Sequence, residues 1–254
     1  MLKLIKQRLE IIGRYFSFCG EIFASLFKPP SRGPLILSEI ERLGVNSIWI
    51  IFLSGGAMGM IFAIQIMNML QLFQIETAVG AVVAVALARE LAPVITTLML
   101  IAKNGSAMAS ELGTMKVTEQ IDALESMSVN PVHYLVLPKV VASFFAYPTL
   151  TMLANVIGSF GSYIITVHLY SVDSASYLDY MFNFLNPRDI VMGIIKAAVM
   201  GVVVATICCF CGLRTSQGAK GVGDSATRAV VISSVTILLM DYIMTTIILR
   251  LIYI

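Results

Sequence analysis

Long apolar stretches with few charges run through most of the chain and predict helices that cross a membrane. No charged residue lies between Arg42 and Glu76 or between Lys139 and Asp173, and three other stretches contain only one or two internal charges each. A helix needs about 20 mainly apolar residues to cross the hydrocarbon core. The pattern predicts five spans, at approximately 46–71, 77–102, 140–167, 189–211 and 229–252.

The N-terminal segment shows a different pattern, that of an amphipathic helix. Apolar residues recur there at helical spacing with basic residues between them, at Ile5, Leu9, Ile12 and Phe16. Such a helix lies in the membrane interface with its apolar face among the acyl chains. We expect residues 1–44 to form an interfacial and elbow region with a break at Pro29 and Pro30; a frayed basic tail is the alternative.

Composition agrees with an all-α membrane protein. Of the 254 residues, 58% are hydrophobic and 13% are charged, and the mean hydropathy is +0.88. Soluble domains carry roughly a quarter charged residues, so this chain has too little charge to cover a surface in water. Five spans leave no room for an added soluble domain of ~100 residues or more. We therefore predict a single domain, residues 1–254.

The sequence contains no pattern typical of a catalytic, metal or nucleotide site. Cys208, Cys209 and Cys211 lack the paired spacing of structural metal sites. The glycines of 218–223 do not have the GxxxxGK[ST] spacing that holds a triphosphate. The net charge of +2 gives no indication of a nucleic-acid partner. We predict a non-catalytic chain without a cofactor or metal, so that any ATP is used by another subunit.

The distribution of lysine and arginine predicts the orientation. Thirteen of these residues lie in the N-terminal segment and in the connections 103–139 and 212–228, whereas the other two connections contain only Arg188. Cytoplasmic loops carry the excess of basic residues. We therefore expect a multi-pass membrane protein with its N-terminus in the cytoplasm and its C-terminus on the outer side.

The 103–139 connection is too long for a simple turn and contains a second amphipathic segment. From Lys116 to Met127, apolar residues fall on one side of a helix and acidic residues on the other. A short helix parallel to the membrane is suited to docking a soluble partner, although it could instead only cover the end of the bundle. The candidate docking residues are Lys116, Glu119, Gln120, Asp122, Leu124 and Glu125.

Four charged residues lie well inside the predicted spans: Arg89, Glu90, Lys196 and Asp241. A charge at the membrane centre costs about 2.5–3.5 kcal/mol on insertion scales. Adjacent residues of a helix point about 100° apart, so Arg89 and Glu90 should each find a partner on another helix. One hypothesis is a set of structural or switching ion pairs, including Lys196 with Asp241. The other is a lipid cavity, in which Arg89 binds a headgroup because guanidinium pairs bidentately with phosphate.

The first span offers further residues for such a cavity. Small residues at 55–59 allow close approach of another helix. Apolar residues follow at helical spacing, and ordinary packing is the alternative to lining a lipid cavity together with Arg89 and Glu90. These residues are Phe62, Ile66, Met69 and Leu70.

Three stretches carry a resemblance to a known family. They are ARELAPVITT at 88–97, GSAMASELGTMKVTEQIDALE at 105–125 and GVGDSATRAVV at 221–231. In this order they resemble the MlaE family of ABC-transporter permeases. The sequence departs from the expected pattern at Ser128, where glycine is expected, and at Ala102 and Lys103, where Gly-Arg is expected.

The resemblance implies an MlaE-type permease fold and a homodimer that moves phospholipid or a related lipid between the inner membrane and an outer-side MCE-domain partner. It also implies a cytoplasmic ATPase that docks on the Lys116–Met127 coupling helix, and in some relatives a STAS-domain protein. A secondary transporter or ion channel that uses Glu90 and Asp241 is the alternative. Inverted repeats or paired broken spans would indicate that class, and the five spans show neither.

Overall fold

The computed structural model describes residues 2–26 and 33–253, with side chains at 9–26, 33–248 and 250. Positions 27–32, which include the predicted break at Pro29 and Pro30, lie outside the described residues. Within the described ranges the chain forms helices and no strand. The prediction of an all-α protein is confirmed.

Eleven α-helices occur within the described residues. They are α1 (Leu2–Leu26), α2 (Gly33–Leu43), α3 (Ile48–Gln71), α4 (Val79–Ala86), α5 (Ala92–Leu100), α6 (Ser106–Val117), α7 (Gln120–Ser126), α8 (Leu137–Tyr163), α9 (Ser174–Phe184), α10 (Pro187–Leu213) and α11 (Ala219–Tyr253). Short 3-10 turns occupy Val45–Ser47 and Glu76–Ala78. π-helical turns occupy Leu87–Leu91, Ile101–Gly105, Val132–Val136 and Ile164–Leu169.

Five helical stretches are long and apolar enough to cross a membrane, which confirms the five predicted spans. They are Gly33–Gln71, Glu76–Val117, Val132–Leu169, Pro187–Leu213 and Ala219–Ile248. The second stretch continues 15 residues past the predicted end at 102, because a charged residue such as Lys103 ends an apolar segment without ending a helix. Much of the predicted 103–139 connection is therefore a continuation of this helix.

The segment predicted as one helix from Lys116 to Met127 is divided in two. Helix α6 ends at Val117, Glu119 has a left-handed φ of 59°, and α7 then runs from Gln120 to Ser126. A residue with a positive φ cannot be part of a regular right-handed α-helix. Val117 and Thr118 are adjacent β-branched residues with low helix propensity, which favours a break at this point. The prediction of one continuous helix from Lys116 to Met127 is therefore wrong for its first residues, because the helix breaks at Thr118 and Glu119.

The chain divides into two compact units, each made of three segments. Unit 1 consists of Met1–Ile40, Ile101–Ser143 and Val202–Ser234. Unit 2 consists of Glu41–Leu100, Phe144–Gly201 and Val235–Ile254.

A buried lysine connects three helices of unit 1. Lys139 Nζ, on α8, lies 2.7 Å from Glu39 Oε1 of α2 and 3.1 Å from Glu111 Oε2 of α6. A buried cation is tolerated when carboxylates compensate its charge. This ion-pair cluster fixes the elbow helix α2 against α6 and α8.

Glycines bring α3 and α8 into close contact in unit 2. A Cβ atom at Gly59 would collide with the carbonyl group of Gly158, and one at Gly55 would lie 3.2 Å from the Cα of Ala154. Small residues permit this approach of helix backbones in a membrane. The close contact predicted for residues 55–59 is confirmed.

Helix α9, between the third and fourth spans, was not predicted. Asp173 caps its first turn by accepting a hydrogen bond from the Ser176 backbone N–H at 2.8 Å, and that bond lowers the pKa of the Asp173 carboxyl. The buried Tyr177 ring packs on Gly80 of α4, where an added Cβ would lie 2.7 Å from the ring. The Tyr177 hydroxyl donates to Ser162 Oγ at 3.1 Å. These contacts anchor α9 to two spans.

We expect Gly59→Ala to destabilise the protein by about 1–3 kcal/mol, the usual range for overpacking. The added methyl group would meet the backbone of Gly158, which cannot rotate away. Gly56→Ala is the matched control, because its Cβ would meet only Ile157 Cγ2 at 3.4 Å. Thermal unfolding of both variants in one detergent measures the difference; equal midpoints would contradict the close contact.

Candidate functional site

Arg89 and Glu90 lie in the π-helical turn Leu87–Leu91 of the second span. Pro93 has no backbone N–H, so it cannot donate the usual helical hydrogen bond to the Arg89 carbonyl four residues earlier. The Ala92 N–H instead reaches Leu87 O, and Lys196 Nζ donates to Arg89 O at 3.1 Å. Lys196 thus supplies the donor to the Arg89 carbonyl that Pro93 cannot supply. π turns are frequent at functional sites.

Lys196 of α10 is the centre of the charged cluster. Its ammonium group donates to Glu90 Oε2 at 2.6 Å and to Thr245 Oγ1 of α11 at 2.6 Å. Together with the bond to Arg89 O, these contacts use the three protons of an ammonium group. Asp241 Oδ1 lies 3.0 Å from Nζ, as an ion pair without an aligned hydrogen bond. The structure therefore brings Lys196 together with Asp241 and also with Glu90.

Arg89 pairs with Asp189 on the fourth span. Its Nε donates to Asp189 Oδ1 at 2.8 Å. Asp189 and Lys196 are seven residues apart on α10 and therefore share one face of that helix. Arg89 thus meets Asp189, and its neighbour Glu90 meets Lys196. The two partners lie about two turns apart on α10. Asp189 was missed as a site residue, although its spacing of seven from Lys196 was a usable signal.

Exposure distinguishes the members of this cluster. The Lys196 side chain is fully buried at 0% exposure, whereas 38% of the Glu90 side chain and 31% of the Arg89 side chain are exposed. In hydrocarbon such charges pair with one another or face a cavity. The buried Lys196 can hold three spans together, while Arg89 and Glu90 also present surface to an approaching ligand. Among the described residues, no three His, Cys, Asp or Glu side chains converge to hold a metal ion.

The apolar residues predicted to line a lipid cavity with Arg89 and Glu90 are placed differently. Phe62, Ile66 and Leu70 are half-buried and pack against the cluster formed by Ala63, Met67, Val79, Val83, Leu87 and Val172. Met69 is exposed. None of the four borders the cavity of about 550 Å³ in unit 2 or the groove of about 500 Å³ in unit 1.

A groove of about 500 Å³ borders the predicted docking segment in unit 1. Ile121 is buried and anchors α7, Leu124 is half-buried, and Lys116 Nζ pairs with Asp122 Oδ1 at 2.7 Å. The remaining predicted docking residues are exposed: Glu119, Gln120 and Glu125. The groove is lined by Glu21, Lys116, Ile121, Glu125, Ser128, Val129, Asn130, Pro131, Val132 and Leu213.

Asn130 connects this groove to α1. Its Oδ1 accepts from the Val132 backbone N–H at 2.8 Å, and its Nδ2 donates to Glu21 Oε1 at 2.9 Å. The amide therefore caps the turn that begins the third span and also binds the N-terminal helix. This role of Asn130 was not predicted.

We expect Lys196→Met to destabilise the protein by about 3 kcal/mol, toward the low end of the range for removing one partner of a buried ion pair, because Glu90 is partly exposed. The substitution leaves Glu90 and Asp241 close together without a cation. Thermal unfolding of the purified variant measures the loss. Adding Glu90→Gln and Asp241→Asn to the variant should restore most of the stability. A single Lys196→Met variant as stable as the unmodified protein would contradict the role of the cluster.

Comparison with known proteins identifies the family. The model of the family "Permease MlaE" matches residues 36–247. A "Probable ABC transporter permease protein" of Rickettsia bellii (strain RML369-C) is 36% identical over 236 residues, which cover 93% of this chain and 91% of that protein. The "Intermembrane phospholipid transport system permease protein MlaE" of Haemophilus influenzae is 38% identical over 230 residues, 89% of this chain and 88% of that protein.

A plant protein is similar over the same region. The "Protein TRIGALACTOSYLDIACYLGLYCEROL 1, chloroplastic" of Arabidopsis thaliana is 36% identical over 227 residues, 89% of this chain and 65% of that protein. The family match covers the second, third and fourth spans completely and most of the first and fifth. The chain therefore belongs to the MlaE family of permeases, membrane subunits of ABC transporters.

Proposed function

We propose that this permease moves phospholipid, or a related lipid, between the inner membrane and an MCE-domain protein on the outer side. ATP hydrolysis in a separate cytoplasmic subunit drives the transport. The observation that carries the proposal is the similarity to the Haemophilus influenzae permease, whose name states intermembrane phospholipid transport and which aligns with 89% of this chain. The charged cluster inside the spans supports a polar lipid as the cargo.

The ATPase docks on the segment from Lys116 to Met127 in this proposal. Helix α7 supports this role, because Ile121 anchors it while Gln120 and Glu125 remain exposed. The adjacent groove of about 500 Å³ offers a concave surface for a protruding element of the partner. An exposed acidic helix is complementary to a basic surface, and such complementarity increases both specificity and association rate.

Arg89 binds the lipid headgroup in this proposal. Its guanidinium group carries five N–H donors, and 31% of the side chain is exposed although the residue lies within a span. The Asp189 carboxylate holds the side chain from one side at 2.8 Å. This contact orients the guanidinium before a phosphate approaches, which reduces the entropy lost on binding.

The proposed assembly is a homodimer that also binds an MCE-domain protein and, in some systems, a STAS-domain protein. The exposed apolar residues of the last span support contact with a second copy; they include Leu238, Leu239, Tyr242 and Ile243. The excess of basic residues in the N-terminal segment and in the 103–139 and 212–228 regions supports a cytoplasmic N-terminus and an outer-side C-terminus. The segment from Lys116 to Met127, on which the ATPase docks in this proposal, then lies on the cytoplasmic side, where ATP is present.

We expect Glu125→Arg to weaken ATPase binding about tenfold, or ~1.4 kcal/mol, because it reverses a charge at the docking surface. The tagged permease is extracted in mild detergent, and the ATPase activity that co-purifies with it is measured. Asp179→Arg is the matched control, since it makes the same charge change at an exposed residue of α9 on the predicted outer side. Equal ATPase recovery from both variants would reject docking at α7. If the unmodified permease recovers no ATPase, the proposed function itself is wrong.

We expect Arg89→Ala to reduce the phospholipid that co-purifies with the permease by about half or more, because one charge-assisted headgroup contact is worth ~1.5–3 kcal/mol. Lipid mass spectrometry measures the content, and size-exclusion chromatography checks that the dimer persists. Arg188→Ala is the matched control, because it removes the same guanidinium group from an exposed residue at the start of α10 that the proposal does not use. Unchanged lipid in Arg89→Ala, or equal loss in both variants, would reject the headgroup role.

A further inference from the structure

Helix α9 and the fourth span form one interrupted helical segment. Helix α9 ends at Phe184 and α10 begins at Pro187, so only Leu185 and Asn186 separate the two helices. Leu185 has an extended backbone with a ψ of 104°. Proline also disfavours helical backbone at the residue before it. The segment Ser174–Leu213 is therefore helical on both sides of a short break.

Contacts with the second span give the position of this break. Tyr177 of α9 packs on Gly80, whereas Gly193 of α10 lies against the carbonyl group of Ala88. From position 80 to position 88 the second span advances about 12 Å, at 1.5 Å per residue. Helix α9 also contacts the turn Glu76–Ala78, which begins this apolar span. Helix α9 therefore runs alongside the outer part of the second span, and the break lies inside the membrane.

The side of α9 that faces away from unit 2 carries polar groups. Asp179 and Asn183 are four residues apart and thus share one face of the helix, and Asn186 follows at the break; all three are exposed and are called the polar stripe below. Asp189 Oδ2 accepts from the Asn186 backbone N–H at 3.2 Å, and its Oδ1 accepts from Arg89 Nε at 2.8 Å. A continuous series of polar groups thus leads from Asp179 to Arg89.

Apolar side chains border the polar stripe on both sides of α9. Leu178 and Phe182 are exposed on one side. Tyr180 and Phe184 are exposed on the other, with their rings stacked at a centroid distance of 6.1 Å. At 100° per residue, the polar stripe lies between these two pairs. Such a helix has two flanks suited to hydrocarbon and a narrow face suited to water.

The break itself requires water at this depth. Irregular backbone inside a membrane is tolerated only where it is buried in protein or lines a water-filled cavity. Asn186 and Pro187 at the break are exposed in this chain. The last carbonyl groups of a helix such as α9 also lack intrahelical partners, and each unsatisfied group costs several kcal/mol in hydrocarbon. Water satisfies these carbonyls and the polar stripe together, whereas hydrocarbon satisfies neither.

We propose that α9 is a re-entrant helix whose polar stripe lines a water-filled recess, open to the outer side and ending at Arg89. The exposed 31% of the Arg89 side chain then borders water at the inner end of the recess. A polar or anionic group thereby has a solvated route between the outer side and this guanidinium group. That use of the recess rests on the proposed role of Arg89, whereas the recess itself rests on the packing of α9 and α10 in unit 2.

The test compares cysteines at neighbouring positions of α9 in membranes that expose the outer side to a membrane-impermeant trimethylammonium methanethiosulfonate. Asn183→Cys places a thiol on the polar stripe. Phe182→Cys is the matched control, because this adjacent position is 70% exposed but lies on an apolar flank. The reagent carries a permanent charge and reacts with the thiolate, which forms in water. We expect Asn183→Cys to react at least about tenfold faster, since charge is excluded from hydrocarbon.

Asn186→Cys tests the inner end of the recess, and we expect it to react at a rate comparable with Asn183→Cys. Peptide mass spectrometry assigns each adduct, so the four native cysteines do not interfere. The reaction requires neither an ATPase nor lipid transport. A failure of the proposed function therefore leaves these rates unchanged, and unreactive cysteines leave the ATPase and lipid measurements unchanged.

Two outcomes would overturn the recess. Equal rates at positions 182 and 183 would mean that α9 lies in water outside the membrane. No reaction at positions 183 and 186 would mean that lipid or a second copy of the chain covers the polar stripe. If Asn183→Cys fails to fold, Asn186→Cys is compared with Phe184→Cys on the other apolar flank, and equal rates in that pair would also reject the proposal.

Discussion

The buried ammonium group of Lys196 is the contact on which the charged part of the permease depends. It joins two carboxylates, a hydroxyl and a backbone carbonyl that come from two other spans, the second and the fifth. Each of these groups alone would be costly in hydrocarbon, because no water solvates it there. One side chain of α10 therefore makes the polar residues of two other spans tolerable and fixes which faces of these helices meet.

Two kinds of contact, one between glycine backbones and one between charged side chains, fix the helix packing within unit 2. The Gly59 contact sets the distance between α3 and α8, because it brings one backbone against another. The charged cluster sets the rotation of α10, since Asp189 and Lys196 on one face must meet Arg89 and Glu90. A distance set by glycine and a rotation set by charge are independent constraints, so neither substitutes for the other.

Hydropathy was sufficient to predict the five spans, because the membrane imposes both length and polarity on a crossing helix. It did not predict α9, whose apolar residues Tyr177 and Met181 lie in a segment too short to span. The need for interhelical partners followed from the signs and angular positions of Arg89 and Glu90. Which carboxylate meets Arg89 depends on the packing of α10 and could not be derived from the sequence of one chain. The left-handed residue Glu119 likewise had no signal stronger than two adjacent β-branched residues.

Pro93 has a mechanical consequence. Because it supplies no N–H, the main chain of the second span is itself bound by the side chain of Lys196. An axial movement of α10 by one residue rise, about 1.5 Å, would therefore pull on a backbone as well as on side chains. The pull would act at a turn that is already wound outside the regular α-helical register. The second span is thus coupled to α10 through its main chain, at a turn where one regular backbone hydrogen bond is already absent.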